Sequence, residues 1–231
     1  MVEEAETPSV NLGRAALAEF VGTFFLLLGV VGSGIMAKQL TNDVGLQLLA
    51  NSTATVGILV AIILAFADTS GAHFNPAVTI ADMATSGFNV TKLITYITVQ
   101  IGGGILGVVA ANVIFELDAI NISERERSSV ALWLSEGIAT FGLLIVIFGV
   151  VRKGSPAMVA YAVGGYIGGA YWFTSSTSFA NPAVTVSRMF SNTFAGIEPA
   201  SVLAFVIAQF VATGIAIGVI GVIWPTDENS T

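Results

Sequence analysis

Asn-Pro-Ala-Val-Thr stands twice in this chain, at Asn75–Thr79 and at Asn181–Thr185. Asn is among the best helix N-cap residues, and Pro suits a first helical turn, where its missing N–H would go unused. Each pentapeptide opens a short helix-competent stretch, Ala77–Ala84 and Ala183–Phe190, which then gives way to polar residues. About two turns fall well short of the ~20 residues that cross a bilayer. Such a pair offers electrostatics rather than catalysis. Opposed helix N-termini focus positive potential between them, and the Asn75 and Asn181 amides can donate to a passing oxygen. One histidine and no cysteine leave no thiolate, disulfide or Cys-ligated metal, and no nucleophile–base set or phosphate loop is present. An enzyme is not expected, and neither is a cofactor.

These motifs sit in lipid-soluble sequence. Hydrophobic residues make up 55% of the 231 and charged ones 10%, against roughly 25% charge in a soluble domain. Apolar stretches run over Ala15–Ala37, Leu46–Ala67, Leu93–Phe115, Val130–Val151, Ala157–Phe173 and Val202–Trp224. Each is close to a membrane span. The first is too long, and too closely followed by others, for a cleaved signal peptide. Non-helical backbone at membrane depth is tolerated only where it is buried in protein or lines a wet cavity. The expected fold is therefore an all-α membrane protein of six transmembrane helices plus two re-entrant half-helices. The net charge of −7 includes Glu3, Glu4, Glu6, Asp227 and Glu228 near the ends, read as solvated acidic tails. No basic patch exists, so nucleic acid is not a partner.

The repeat extends beyond the pentapeptide. Ala18–Phe24 (AEFVGTF) reads like Ser135–Phe141 (SEGIATF), and Gln100 is echoed by Gln209. Three spans per half is an odd number, so the second half enters from the opposite face, giving an inverted 3+3 repeat. One channel domain is expected over 1–231, with repeats near 12–115 and 129–224 and disorder-prone ends at 1–11 and 225–231. Six spans put both termini on one side, with Arg14, Lys92, Arg152 and Lys153 there and Lys38, Arg125 and Arg127 opposite. That bias places the termini in the cytoplasm. Glycines four apart (Gly103/Gly107, Gly164/Gly168, Gly165/Gly169 and Gly214/Gly218) read as close-packing positions in a tight bundle.

The run Ser70–Thr79 (SGAHFNPAVT), the second Asn-Pro-Ala and the AEFVGTF of the first span resemble the aquaporin, or major intrinsic protein, family over about residues 12–224. The resemblance implies a right-handed six-helix bundle, a pore in every protomer, a homotetramer, a plasma-membrane location and passive flow of water or small uncharged solutes. It implies that Asn75, Pro76, Ala77, Asn181, Pro182 and Ala183 form the paired pore motifs. It also implies that Glu19 and Glu136 brace the re-entrant loops by accepting backbone hydrogen bonds, the other reading of these carboxylates being a proton relay. His73 matches a family histidine and is read as a packing residue beside the loop, with pH gating as the alternative.

The chain departs from the family where most members follow the second Asn-Pro-Ala with a filter arginine. Here that residue is Val184. Arg188, four residues on, either replaces the charge or caps the negative end of the half-helix. The remaining filter positions transfer by spacing to Thr55 or Val56, Gly169 and Ser178, none a bulky aromatic, so a broad, weakly polar passage is expected. Tyr171–Phe179 and Ala183–Thr185 resemble a microbial branch associated with arsenic resistance, which implies trivalent arsenic and antimony hydroxides or methylated arsenicals as possible cargo. A channel for water and glycerol-like solutes that excludes ions and protons is the expected function. The alternatives are a secondary active transporter, with Glu19 and Glu136 its only candidate coupling sites, and a non-conducting membrane scaffold.

Overall fold

The computed structural model describes residues 11–87, 89–154 and 156–225; the acidic residues read as tails at 3–6 and 227–228 lie outside the described residues. Among them the elements are α1 (Leu12–Leu40), α2 (Val44–Ser70), α3 (Pro76–Ser86), α4 (Val90–Ile114), α5 (Val130–Val151), α6 (Pro156–Phe173), α7 (Pro182–Ser187) with a following 3₁₀ turn (Arg188–Phe190), and α8 (Pro199–Ile223). Five of them, α1, α2, α4, α5 and α8, are long and apolar enough to cross a membrane. The stretches read as spans one to six correspond to α1, α2, α4, α5, α6 and α8.

Local sequence accounts for the breaks. The side chains of Asn11, Asp43, Asn89 and Ser129 each accept backbone N–H groups at the start of a long helix. Gly71, at φ 88°, ends α2 in the left-handed conformation that glycine tolerates best. α3 and α7 begin at Pro76 and Pro182, each capped by the preceding Asn. The chain thus forms two half-helices at the two pentapeptides.

α1 packs on α2 and α4, and α5 on α6 and α8; α2 against α6 joins the two sets. In the crossed position, α3 packs on α8 and α7 on α4, so each half-helix is held by the last long helix of the other half. Glycine makes the closest approach possible. A Cβ on Gly103 would lie 2.2 Å from the Phe20 carbonyl oxygen, and one on Gly107 2.2 Å from that of Phe24. Gly164 and Gly168 likewise receive Val60 and Val56 of α2. The other two pairs correct the expectation. Gly165, Gly214 and Gly218 have nothing within 4 Å of a built Cβ, and Gly169 meets only Phe173 of its own helix. They face away from the bundle, because a stripe of small residues shows spacing but not which side of the helix meets a neighbour.

Substituting Gly107 by Ala is expected to force α1 and α4 apart at a backbone contact, costing about 1–3 kcal/mol. Gly218→Ala is expected to leave stability within about 0.5 kcal/mol of the parent or above it. Thermal unfolding in detergent compares the two, and equal midpoints would contradict this packing.

Candidate functional site

The two loops that precede the half-helices share one bonding plan, with an extra Ser70 donor in the first. Glu19, fully buried in α1, accepts from Ser70 Oγ (2.7 Å), His73 N (2.9 Å), Phe74 N (2.7 Å) and Gln100 Nε2 (2.8 Å). Glu136, fully buried in α5, accepts from Phe179 N (2.9 Å), Ala180 N (2.8 Å) and Gln209 Nε2 (2.7 Å). Each Gln donates its other N–H to the Thr of the pentapeptide, Gln100 to Thr79 (3.0 Å) and Gln209 to Thr185 (2.8 Å). Each of those Thr hydroxyls donates in turn to the carbonyl of the capping Asn. In both copies the Gln Oε1 is left without a partner. Every neighbour of the two carboxylates is a donor, so a brace fits and a relay group with a free oxygen does not.

The brace holds an unfavourable backbone. Ala72 and Phe74 have φ of 50° and 48°, and their counterparts Ser178 and Ala180 have 51° and 49°. Left-handed conformations at non-glycine residues cost of order 1–3 kcal/mol each and persist only where surrounding structure over-determines them. The Phe74 ring fits because α1 carries Gly22, where a Cβ would come within 2.0 Å of that ring.

Held in this way, the capping residues cross over. Asn75 Nδ2 donates to the Ala180 carbonyl and Asn181 Nδ2 to that of Phe74, both at 2.8 Å. Asn75 Oδ1 accepts from Ala77 N, and Asn181 Oδ1 from Ala183 N and Val184 N. Each carboxamide thus spends one N–H on the opposite loop and retains a second, and both residues border one cavity of about 70 Å³. With roughly 10–15 Å³ needed to seat a water, this volume has room for a few molecules.

The cavity wall is apolar along Val159, Val163 and Ile167 of α6 and Leu59 and Ile63 of α2. Polar groups gather beyond Asn181: Thr55, Tyr171, Ser178 and Arg188, with Val184 beside them. Thr55 Oγ1 and the Tyr171 hydroxyl are hydrogen-bonded at 3.0 Å, and Ser178 Oγ is buried without a partner. Arg188, 2% exposed, places its Cζ 3.5 Å from the Phe179 ring centre and donates from Nε to the Ala195 carbonyl. Its guanidinium therefore turns to Ala195 and the ring rather than capping the α7 carbonyls.

Two expected filter positions lie elsewhere. Gly169 is on the exposed outer side of α6, two residues from both Ile167 and Tyr171 and hence about 160° round the helix from each. Val56, one residue past Thr55, packs against Gly168. The expectation of no bulky aromatic is also corrected, since Tyr171 and Phe179 both reach the cavity. Tyr171 could have been found from the fourfold spacing of Val159, Val163, Ile167 and Tyr171. Arg127 carried no such signal. It lies in the loop between α4 and α5, which runs along the segment after α7, with Ser123 N bonded to the Met189 carbonyl and Glu198 N to that of Arg125. From there Arg127 reaches the Gly196 and Ser176 carbonyls (2.8 and 3.2 Å), its Cζ 4.9 Å from the Phe179 ring centre. Burial, then the charges of Arg188 and Arg125, push the Arg127 guanidinium well below its ordinary range. Arginine starts high enough to stay charged.

At the other end, His73 borders both this cavity and a vestibule of about 330 Å³ lined by Asp68, Asp82, Lys92 and Tyr96. The Thr79 hydroxyl already donates to the Asn75 carbonyl, so His73 Nδ1 donates to Thr79 Oγ1 at 3.2 Å, and Nε2 faces Asp82 at 3.7 Å.

Residues 6–172 match the sequence model of the family described as Major intrinsic protein. The chain belongs to the major intrinsic protein family. It is 45% identical over 199 residues to the aquaglyceroporin AqpS of Rhizobium meliloti (strain 1021), covering 86% of this chain and 85% of that one. It is 32% identical over 166 residues to Aquaporin Z of Photorhabdus laumondii, covering 65% and 71%. Among solved structures the aquaglyceroporin from Plasmodium falciparum superposes with a TM-score of 0.72 at 22% identity, covering 93% of this chain and 98% of that one. At that identity the likeness concerns the fold: six spans and two half-helices in an inverted repeat, as in other major intrinsic proteins.

Glu136→Gln sets an N–H₂ group or a weaker acceptor against backbone donors that have no water to turn to. A loss of about 1–3 kcal/mol is expected, read as a lower unfolding midpoint in detergent. An unchanged midpoint would remove the brace from this account.

Proposed function

We propose that this major intrinsic protein is a passive channel for water and small uncharged solutes of glycerol size that excludes protons and other ions. The observation that carries the reading is the Asn75–Asn181 pair, each with one amide N–H committed across the loops and one to spare at the wall of a narrow cavity. Two donors converging on one water orient it away from its neighbours and interrupt a proton-conducting file, and the α3 and α7 N-termini raise the local potential against cations. The relatives' names, aquaglyceroporin and aquaporin, support the water and glycerol classes. Against the transporter reading stands the commitment of both Glu19 and Glu136 to loop donors.

Finer assignments follow the same reading. Asn75, Pro76, Ala77, Asn181, Pro182 and Ala183 are the pore motifs, and Thr55, Ser178 and Val184, joined by Tyr171, form the selectivity filter. His73 serves as a loop packing residue. One domain spans 1–231 with repeats at 12–115 and 129–224, and four copies assemble in the plasma membrane. The Arg152–Lys153 turn supports cytoplasmic termini. Undissociated arsenous acid, similar to glycerol in size and hydroxyl pattern, belongs to the same cargo class.

Stopped-flow light scattering on proteoliposomes, with water, glycerol and arsenous acid gradients, tests the reading. Val184→Arg is expected to narrow the filter and reduce glycerol flux about tenfold more than water flux, a barrier difference of about 1.4 kcal/mol. Equal losses count against Val184 as a filter residue. Proton flux in the parent protein is expected to stay at the level of empty vesicles, and a flux like that of a water-filled cation pore would refute the role given to the asparagines.

A further inference from the structure

We propose that a recess on the membrane face opposite the termini, where Lys38 and Arg125 converge, binds a monoanionic oxyanion of the phosphate class, free or as a lipid headgroup. The site lies outside the pore and goes beyond the channel reading.

The recess encloses about 320 Å³ and draws on four segments. Lys38 stands in the last turn of α1, Gln47 near the start of α2, Glu124 and Arg125 in the loop between α4 and α5, and Asn192 in the segment after α7. It shares no lining residue with the pore cavity.

What marks the recess is that its cations stand alone on an acidic face. Asp43, Glu116, Asp118, Glu124, Glu126 and Glu198 all lie in the loops at that end of the bundle. Even so, neither Lys38 nor Arg125 comes within ion-pair distance of a carboxylate among the described residues. The hydrogen bonds of Arg125 run through its backbone, from its N to Ser123 Oγ and to its carbonyl from Glu198 N. Its Cζ lies instead 5.2 Å from the Phe194 ring centre. Burial pushes this guanidinium below its ordinary range, an effect that an adjacent anion would oppose.

Neutral donors join the two cations. Asn192 Oδ1 accepts from Glu124 N at 3.2 Å, so the N–H₂ end of that amide points away from the bond. Gln47 gives one N–H to the Thr41 carbonyl at 2.7 Å and keeps the second. Glu124 borders the recess as well. Two cations against one carboxylate leave the lining one positive charge, which suits dihydrogen phosphate or a phosphodiester better than a dianion. Donors from four segments suit a tetrahedral oxyanion better than a planar carboxylate.

The frame is built before any ligand arrives. The Met189 carbonyl accepts from Ser123 N, the Thr193 carbonyl from Gly196 N, and a Cβ on Gly34 would lie 3.7 Å from the Phe194 ring. A rigid frame loses little freedom on binding. Lys38 has a rival role, since a cation in the last turn offsets the negative end of α1. That role explains neither the unpaired Arg125 nor the free amide donors, and it predicts no response to added anion.

The parent, Lys38→Gln, Arg125→Gln, Arg125→Lys and Glu124→Gln are titrated calorimetrically with inorganic phosphate in non-ionic detergent. The buffer is acid enough to keep phosphate largely monoanionic, and chloride matches the ionic strength. The parent is expected to bind with a Kd of about 1 mM, weakened at least about tenfold in Lys38→Gln and in Arg125→Gln. Arg125→Lys loses less because it keeps the charge, and Glu124→Gln binds more tightly because it removes the one carboxylate. Lys38 and Arg125 are tested independently, so failure of one variant to fold leaves the other decisive.

Native mass spectrometry then compares retention of phosphatidylglycerol with that of phosphatidylcholine. Preferential retention by the parent, lost in both Gln variants, supports the site with a headgroup as its occupant. Phosphate binding without such retention supports it with a free anion. No binding of either probe by the parent, equal affinity in the parent and both Gln variants, or weaker binding in Glu124→Gln overturns the proposal. None of these readouts is a flux, so a failed channel reading would leave the site standing.

Discussion

Hydrocarbon offers a backbone N–H nothing to bond, and the rest of this structure depends on how that constraint is met at two loops. A chain that turns back at mid-membrane exposes donors that no helix ladder can reach. Glu136 takes the N–H groups of Phe179 and Ala180, and Glu19 those of His73 and Phe74. A buried carboxylate would ordinarily be costly, but one ringed by donors is stabilised by them, and the donors by it. These bonds, with those from Ala72 N to Ser70 Oγ and Ser178 N to Ser176 Oγ, hold Ala72, Phe74, Ser178 and Ala180 in the left-handed region, and Asn75 and Asn181 each reach across to the opposite loop. Fold and function therefore share a single point of support in each half.

The cross-over of the asparagines extends this logic between the halves. Because each amide bonds the carbonyl just before the other's Asn-Pro-Ala, neither loop can shift without disturbing its partner. The half-helices are further tied to the opposite half, α3 to α8 and α7 to α4. For the role proposed above, rigidity at this point matters because an oriented water interrupts a proton file only if its donors stay in register.

The duplication was legible because it is written in residues whose chemistry is unusual in lipid. Asn-Pro within apolar sequence, Glu19 and Glu136 inside spans, and Gln100 and Gln209 at matching places each need an explanation, and one architecture supplies all of them. The proposed filter positions on α2 and α6 were less legible because those helices are smooth and carry no such mark. A single residue rotates a side chain by about 100° round a helix, enough to carry Val56 from the lumen to the α6 interface. Gly169, two residues out of register, ends on the outside of α6. Arg127 was beyond reach for a different reason. Its place is set by a long loop running along the segment after α7, a contact between residues some 50–70 apart that no local pattern encodes.

The exact identity of the two pentapeptides then reads as symmetry at the centre of the pore rather than at its ends. Val78 and Val184 both border the cavity, one on each side of the asparagine pair. A passive pore gains nothing from direction at its midpoint, since the gradient alone decides which way a solute moves. Discrimination can instead be placed at a mouth, where a solute is tested once on its way through in either direction. The sequence difference follows that division. The residue two before Asn75 is His73, beside carboxylates and Lys92; the residue two before Asn181 is Phe179, under two guanidiniums. Under the proposed proton-excluding role the central pair is held alike in both copies, whereas the flanking position has diverged, to His73 facing Asp82 in one and to Phe179 under Arg127 and Arg188 in the other.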